Sequence, residues 1–305
     1  MPTDSPAFEE SIATSIGPAR IDIAYQRLGA LDAPPLLMIM GAAAQMIHWP
    51  DDFCLLLVER GLQIIRFDNR DAGHSTHMTA APPPNLPAAL AGDLSSASYT
   101  LSDMAADSVG LLDALQIETA HVLGASMGGQ IAQTMAIEHP HRLRSLISLM
   151  STTGNKSVGQ VSPTIMRKVF GGPRAVTRDE IIQHRANAMR LVGSTAWPSD
   201  EAELLARAAL AYDRDHDETA IARQAVATVA SGDRTARLCQ VRVPTLVLHG
   251  LADPMVDVTG GRATAEAIPG AELILMEGMG HNLAPGLRPI LADHIASFIH
   301  RIESR

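Results

Sequence analysis

Ser126, Asp253 and His281 are the side chains whose types and spacing could do chemistry in this sequence of 305 residues. Ser126 is the centre of Gly124-Ala125-Ser126-Met127-Gly128, a G-x-S-x-G pattern. His121, Val122 and Leu123 read as the end of a short buried strand. Gly129 through Glu138 read as a helix with Ile131, Met135 and Ile137 apolar. A serine on the tight turn between them is forced into a strained backbone, with its hydroxyl raised above the sheet edge. Gly124 and Gly128 suit that turn because a side chain would block the close approach of strand and helix. The plainer alternative is a Gly-rich turn in which Ser126 merely caps the helix.

A serine hydroxyl is a poor nucleophile at neutral pH and needs a base, itself oriented by a third group. Around such a turn the acid precedes the histidine in the chain. Asp253 follows the apolar run Pro244 to His249, in a turn stiffened by Pro254. Asp257 reads instead as a helix N-cap or surface residue. His281 lies in Gly278-Met279-Gly280-His281-Asn282, a loop whose glycines let it fold over strand ends; His249 competes, but sits at a strand end beside the acid. A tetrahedral intermediate needs two donors for its oxyanion. One is the Met127 N–H. The other comes from Met40-Gly41-Ala42-Ala43-Ala44-Gln45, with Ala42 N–H the choice, Ala43 the neighbouring alternative, and the Gln45 side chain a further potential donor. Gly41, Met46 and Met279 flank these positions. They could line an apolar acyl or alcohol pocket, and the methionines could equally fill the core.

The elements that must position these groups alternate. Ile21 to Leu28 reads as an antiparallel strand near a sheet edge, Pro35 to Met40 and Leu62 to Phe67 as central parallel strands buried on both faces. Phe53 to Arg60 reads as a crossover helix closed by Gly61, and Ser102 to Leu115 as a second helix with Ser102 as its N-cap. Leu143 to Met150 supplies the next strand. This rhythm implies an α/β fold with a doubly wound sheet. From Ser151 to Leu238 four helical stretches replace it: Pro163 to Phe170, Arg178 to Val192, Asp200 to Tyr212 and Glu218 to Ala230, the first two separated by Gly171-Gly172-Pro173. Residues 1–150 and 239–305 therefore read as the core, and residues 151–238 as a helical cap inserted between core strands. The sheet resumes with Pro244 to His249 and Ala271 to Met276, and a helix from Pro289 to Ile302 follows. Ala80 to Ala91, rich in Pro and Ala, reads as an extended loop.

Composition narrows the partners. At 46% hydrophobic and 19% charged, the chain suits one large globular domain with an insertion. A net charge of −9 argues against nucleic acid and anionic membrane surfaces. Met1 to Arg20 is polar, with no basic segment leading into an apolar one, and no apolar run reaches the length of a membrane span. The expectation is a soluble, cytoplasmic protein. Cys54 and Cys239 sit in apolar settings and read as two buried free thiols. The scattered histidines show no metal-binding spacing, so neither a metal nor another cofactor is expected.

Together, the serine turn, the Gly-Leu-Ala-Asp-Pro turn and the Gly-Met-Gly-His loop resemble the α/β-hydrolase fold family from Ile21 to Ile302. Arg66 to Ser75 looks like the family's loop after the fourth strand, and Glu138 to Leu143 like the segment leading to the sixth. The resemblance implies a mostly parallel eight-stranded sheet. Within the family, Met40-Gly41, Gln45-Met46, Trp49-Pro50 and Arg66 to Ser75 resemble bacterial carboxylesterases and lipases similar to methylesterases of anthracycline (aclacinomycin-type) polyketides. Many relatives carry His-Gly where this chain has Met40-Gly41. The expected activity is hydrolysis of small, mostly uncharged carboxylic esters through an acyl-enzyme. Acyl transfer, peroxyacid formation or carbon–carbon cleavage by the same groups stay open, as do a non-enzymatic small-molecule receptor and a homodimer.

Overall fold

In the computed structural model, which describes residues 8–170 and 175–304, eight strands form one sheet. They are β1 (Ser11–Ile16), β2 (Ile21–Leu28), β3 (Pro35–Ile39), β4 (Gln63–Phe67), β5 (Ala120–Ala125), β6 (Leu143–Leu149), β7 (Thr245–Gly250) and β8 (Glu272–Met276). Their order is β1-β2-β4-β3-β5-β6-β7-β8, with β1 and β2 antiparallel to their neighbours and the remaining pairs parallel. The expected mostly parallel, doubly wound sheet is what forms.

The helices are α1 (Asp51–Glu59), α2 (Leu86–Leu90), α3 (Leu101–Ala114), α4 (Met127–Glu138), α5 (Pro163–Phe170), α6 (Arg178–Leu191), α7 (Glu201–Arg214), α8 (Glu218–Ser231), α9 (Thr235–Leu238), α10 (Thr259–Ala267) and α11 (Arg288–Glu303). The continuous apolar run of β3 has a simple cause. Leu37 and Ile39 pack with Leu111 and Leu112 of α3 and Ile131 and Met135 of α4 on one face of the sheet. Leu36 and Met38 pack with Phe53 and Leu57 of α1 and Leu291 and Ile295 of α11 on the other. Successive residues of a strand point to opposite faces, so a strand covered on both sides favours apolar residues at every position.

Several expectations are corrected. β1 lies inside the segment read only as a polar N-terminus. The Pro- and Ala-rich stretch contains α2, with the Asn85 side chain accepting from Ala88 N–H. α3 starts earlier than expected: Thr100 is its N-cap, in a reciprocal capping box with Asp103, and Ser102 is already inside the helix. Cys54 is buried but Cys239 is exposed. Between β6 and β7 a fifth helix, α9, follows the four expected ones. The Gly171-Gly172-Pro173 break lies outside the described residues. Among the described residues no helix is long and apolar enough to cross a membrane, and no group of three or more His, Cys, Asp or Glu could hold a metal ion.

Candidate active site

Ser126 joins β5 to α4 with φ 56° and ψ −121°, a region that L-residues rarely occupy. The turn is tied down from both sides. Ser126 N–H donates to Leu149 O at 3.0 Å, and Ser126 O accepts from Gly129 N–H at 2.9 Å and Ser151 Oγ at 2.7 Å. A methyl group on Gly124 would overlap Gly128 O, and one on Gly128 would overlap Ile39 O. Ser126 holds the N-cap position of α4, yet its side chain makes no capping bond. The hydroxyl is therefore not engaged in holding the helix.

Because β5, β7 and β8 are parallel, the loops that follow them emerge at one end of the sheet. Those loops carry Ser126, Asp253 and His281. Asp253 Oδ2 and His281 Nδ1 are 2.7 Å apart. The other carboxylate oxygen, Oδ1, accepts from Met255 N–H and Val256 N–H, each at 2.9 Å. The carboxylate is fully buried, and the imidazole is nearly so. The structure thus brings Asp253 and His281 into contact; no hydrogen bond joins Ser126 Oγ to His281 among the described residues.

The competing residues have other employment. His249 is buried against Gly261, donates from Nε2 to Val256 O at 2.8 Å, and stands 3.7 Å from Asp253 Oδ2. Burial pushes its pKa down. Asp257 Oδ1 accepts from Thr259 N–H and Thr259 Oγ1 at the start of α10, which lowers its pKa.

The loop after β3 packs directly on the serine. A Cβ on Gly41 would lie 3.0 Å from Ser126 Cβ and 3.2 Å from Ala125 O, so only glycine leaves the approach clear. Asn69 Nδ2 donates to Met40 O at 2.9 Å and fixes the loop's entry. Ala43, at φ 59°, donates its N–H to Gln224 Oε1 of α8 at 3.0 Å. That amide is spoken for. The Ala42 and Met127 N–H groups make no hydrogen bond among the described residues. The Gln45 side chain is bonded to α7: its Nε2 donates to Ala211 O at 2.7 Å and its Oε1 accepts from Arg214 Nε at 2.9 Å. Met46 and Met279 are fully buried, Met279 within the core cluster that contains Leu283 and Leu287.

Sequence reading missed how far the helices between β6 and β7 grip these loops. Arg214 Nη2 donates to Asp68 Oδ2 at 2.6 Å, and Asp68 Oδ1 accepts from Met46 N–H. Arg223 makes two bonds to Asp71, at 2.8 and 2.7 Å, and Tyr99 donates to the same carboxylate at 2.7 Å; burial beside it raises the Tyr99 pKa. On the other side, His281 N–H donates to Val192 O at 2.7 Å, and Asn282 Oδ1 accepts from Ser194 N–H and Ser194 Oγ. The charged residues of Arg66 to Ser75 were the available signal, but their partners are too distant in the chain to be paired by inspection.

Comparison with known proteins adds a family and its relatives. A family profile described as alpha/beta hydrolase fold matches residues 34–284. The rhodomycin D methylesterase DnrP of Streptomyces peucetius is 29% identical over 284 residues, covering 86% of this chain and 90% of that protein. A 2-hydroxy-6-oxononadienedioate/2-hydroxy-6-oxononatrienedioate hydrolase of Cupriavidus pinatubonensis is 30% identical over 173 residues, covering 56% of this chain and 59% of that protein. The crystal structure of the enol-lactonase from Burkholderia xenovorans LB400 superposes with a TM-score of 0.69 at 22% identity, over 97% of this chain and 100% of that one.

Proposed function

This chain belongs to the α/β-hydrolase fold family, and on that footing we propose that it is a serine carboxylic-ester hydrolase of carboxylesterase type. The observation that carries the reading is the 2.7 Å contact between His281 Nδ1 and Asp253 Oδ2, at the same end of the sheet as the strained Ser126. Asp253 accepts a hydrogen bond from the Nδ1–H, which leaves Nε2 as a lone-pair base. On substrate binding Nε2 takes the Ser126 hydroxyl proton as Oγ attacks the acyl carbon; such bonds often tighten only in the complex. The Ala42 and Met127 amides receive the oxyanion. The imidazolium then protonates the leaving alcohol, and the regenerated base activates water against the acyl-enzyme. The helices of residues 151–238 form a cap over this centre and shape its access.

The substrates are small, mostly uncharged esters. The 29% identity to a methylesterase over most of both chains makes methyl esters, rhodomycin D among them, the first series to try. A second reading, carbon–carbon cleavage by the same three side chains, draws on the likeness to the 2-hydroxy-6-oxononadienedioate/2-hydroxy-6-oxononatrienedioate hydrolase. It ranks lower because that match spans only 56% of the chain.

The test is stoichiometric labelling with a fluorophosphonate, mass mapping of the adduct, and turnover of methyl and p-nitrophenyl esters of graded acyl length. Adduct on Ser126, steady turnover after a burst, and a folded but inactive Ser126→Ala variant are the expected results. Ester turnover retained in folded Ser126→Ala would overturn the reading. Cleavage of vinylogous diketones without ester turnover would favour the second.

A further inference from the structure

We propose that Gln224, on α8, is a positioning residue for the oxyanion site, so that the helices between β6 and β7 complete the catalytic centre as well as covering it. The proposal rests on the serine-hydrolase reading and assigns the insertion a part in it.

Gln224 is fully buried and uses both ends of its amide. Oε1 accepts the Ala43 N–H at 3.0 Å, while Nε2 donates to Arg70 O at 2.9 Å and to Asp71 O at 3.4 Å. One side chain therefore ties the loop after β3 to the loop after β4. The bond has a consequence for the neighbouring amide. Ala43 sits at φ 59°, a conformation an alanine does not hold without support. With Ala43 N–H turned to Gln224 and Met40 O held by Asn69, the chain between them has little freedom. Ala42 N–H lies on that short span, beside Gly41, where an added Cβ would lie 3.0 Å from Ser126 Cβ. Without Gln224 the Ala43 amide loses its partner, and the loop can relax out of the left-handed conformation, taking Ala42 N–H with it. Gln45 repeats the pattern at the far end of the loop, bonded to Ala211 O and to Arg214 on α7.

The role separates from simple folding by its effect on a charged tetrahedral adduct. An aryl trifluoromethyl ketone adds Ser126 Oγ to its carbonyl carbon, and the carbonyl oxygen becomes an oxyanion as His281 takes the serine proton. The matching methyl ketone occupies the pocket without forming that adduct to a comparable extent. Gln224→Met keeps the side chain's length and removes both hydrogen-bonding ends. In this variant kcat/KM should fall about tenfold to a hundredfold, less than the ~10²–10³ for outright loss of one oxyanion donor. Trifluoromethyl ketone affinity should fall by the same factor, with methyl ketone affinity and KM nearly unchanged. Gln224→Asn, polar but too short to span the two loops, should behave alike and serves if the methionine variant does not fold. Wild-type trifluoromethyl ketone affinity in a folded variant would overturn the proposal, as would equal weakening of both ketones. A wild-type chain that forms no Ser126 adduct with the fluorophosphonate would instead overturn the hydrolase reading on which the proposal stands.

Discussion

Asp253 presents its two carboxylate oxygens to different partners: Oδ2 to His281 Nδ1 at 2.7 Å, and Oδ1 to the Met255 and Val256 amides. An asparagine at 253 must keep its oxygen toward those two N–H donors, which turns its NH2 toward His281. The imidazole then accepts at Nδ1 and carries its proton on Nε2, the wrong tautomer to receive one from Ser126. Asp253→Asn should lower kcat by about 10⁴-fold with little change in melting temperature. Steady-state kinetics beside a thermal melt check it; a tenfold loss or less would mean that Asp253 does not orient the base.

Gly128 admits no side chain. A methyl group there would overlap the Ile39 carbonyl at the end of β3, where backbone cannot step aside cheaply. Gly128→Ala should cost about 3 kcal/mol in denaturant unfolding, at the upper end for overpacking, and slow fluorophosphonate labelling of whatever folds.

Arg223 and Asp71 form a buried ion pair that fastens α8 to the loop after β4, their side chains 3% and 0% exposed. Arg223→Met leaves the carboxylate buried with only Tyr99 and Met78 N–H as donors. The expected loss is about 3–5 kcal/mol. Arg178→Met breaks a pair with Asp213 in which both side chains are about half exposed and screened by solvent, and should cost far less. Urea titration of the two variants reads the contrast directly, and similar losses would contradict it.

His121 supplies a pH dependence. It is buried within β5, with Nδ1 on Ser145 Oγ at 2.7 Å and Nε2 on Glu303 at 3.0 Å, and Arg144 shares Glu303. Burial pushes the imidazole pKa below its ordinary 6.5 despite the carboxylate. The unfolded chain then binds a proton that the folded chain resists, so stability falls as pH drops below about 6.5. Glu303, held below its ordinary value by hydrogen bonds from Arg144 and His121 that outweigh its partial burial, adds a loss of the same sign at lower pH. His121→Gln should reduce the slope of the melting-temperature profile between pH 6.5 and 5, the buried His48 and His249, whose pKa values burial also lowers, supplying the remainder; an unchanged slope would remove His121 as a contributor.

What could be read from the residues alone follows from how burial writes itself into a chain. β3 was legible because covering both faces makes its every position apolar, and β4 because Ile64, Ile65 and Phe67 keep the run apolar around the buried Gln63 and Arg66. β1 was not, because at the sheet's edge only Ala13 and Ile16 are buried, among serines and a threonine. Ser102 looked like a cap because a hydroxyl precedes an apolar stripe, but the fully buried Leu101 already belongs to the helix. Cys239 looked buried beside Leu238 and Val241, which do face the core; it falls on the outer side of the short α9 turn. The serine turn, acid turn and histidine loop were readable because each is a local motif. Gln224 and Arg223 were not, since each acts on a loop more than 150 residues earlier, and no local pattern records such a pairing.

The strand order has a consequence for assembly. Ser126 is carried by β5 in the middle of the sheet, whereas Asp253 and His281 ride on β7 and β8, which reach their places only after residues 151–238 have been laid down. Contacts so far apart in the chain are slow to close during folding. A nascent chain therefore carries Ser126 before Asp253 and His281 have been made. On the serine-hydrolase reading, ester turnover by a refolding chain would report the docking of β7 and β8 at the sheet's edge.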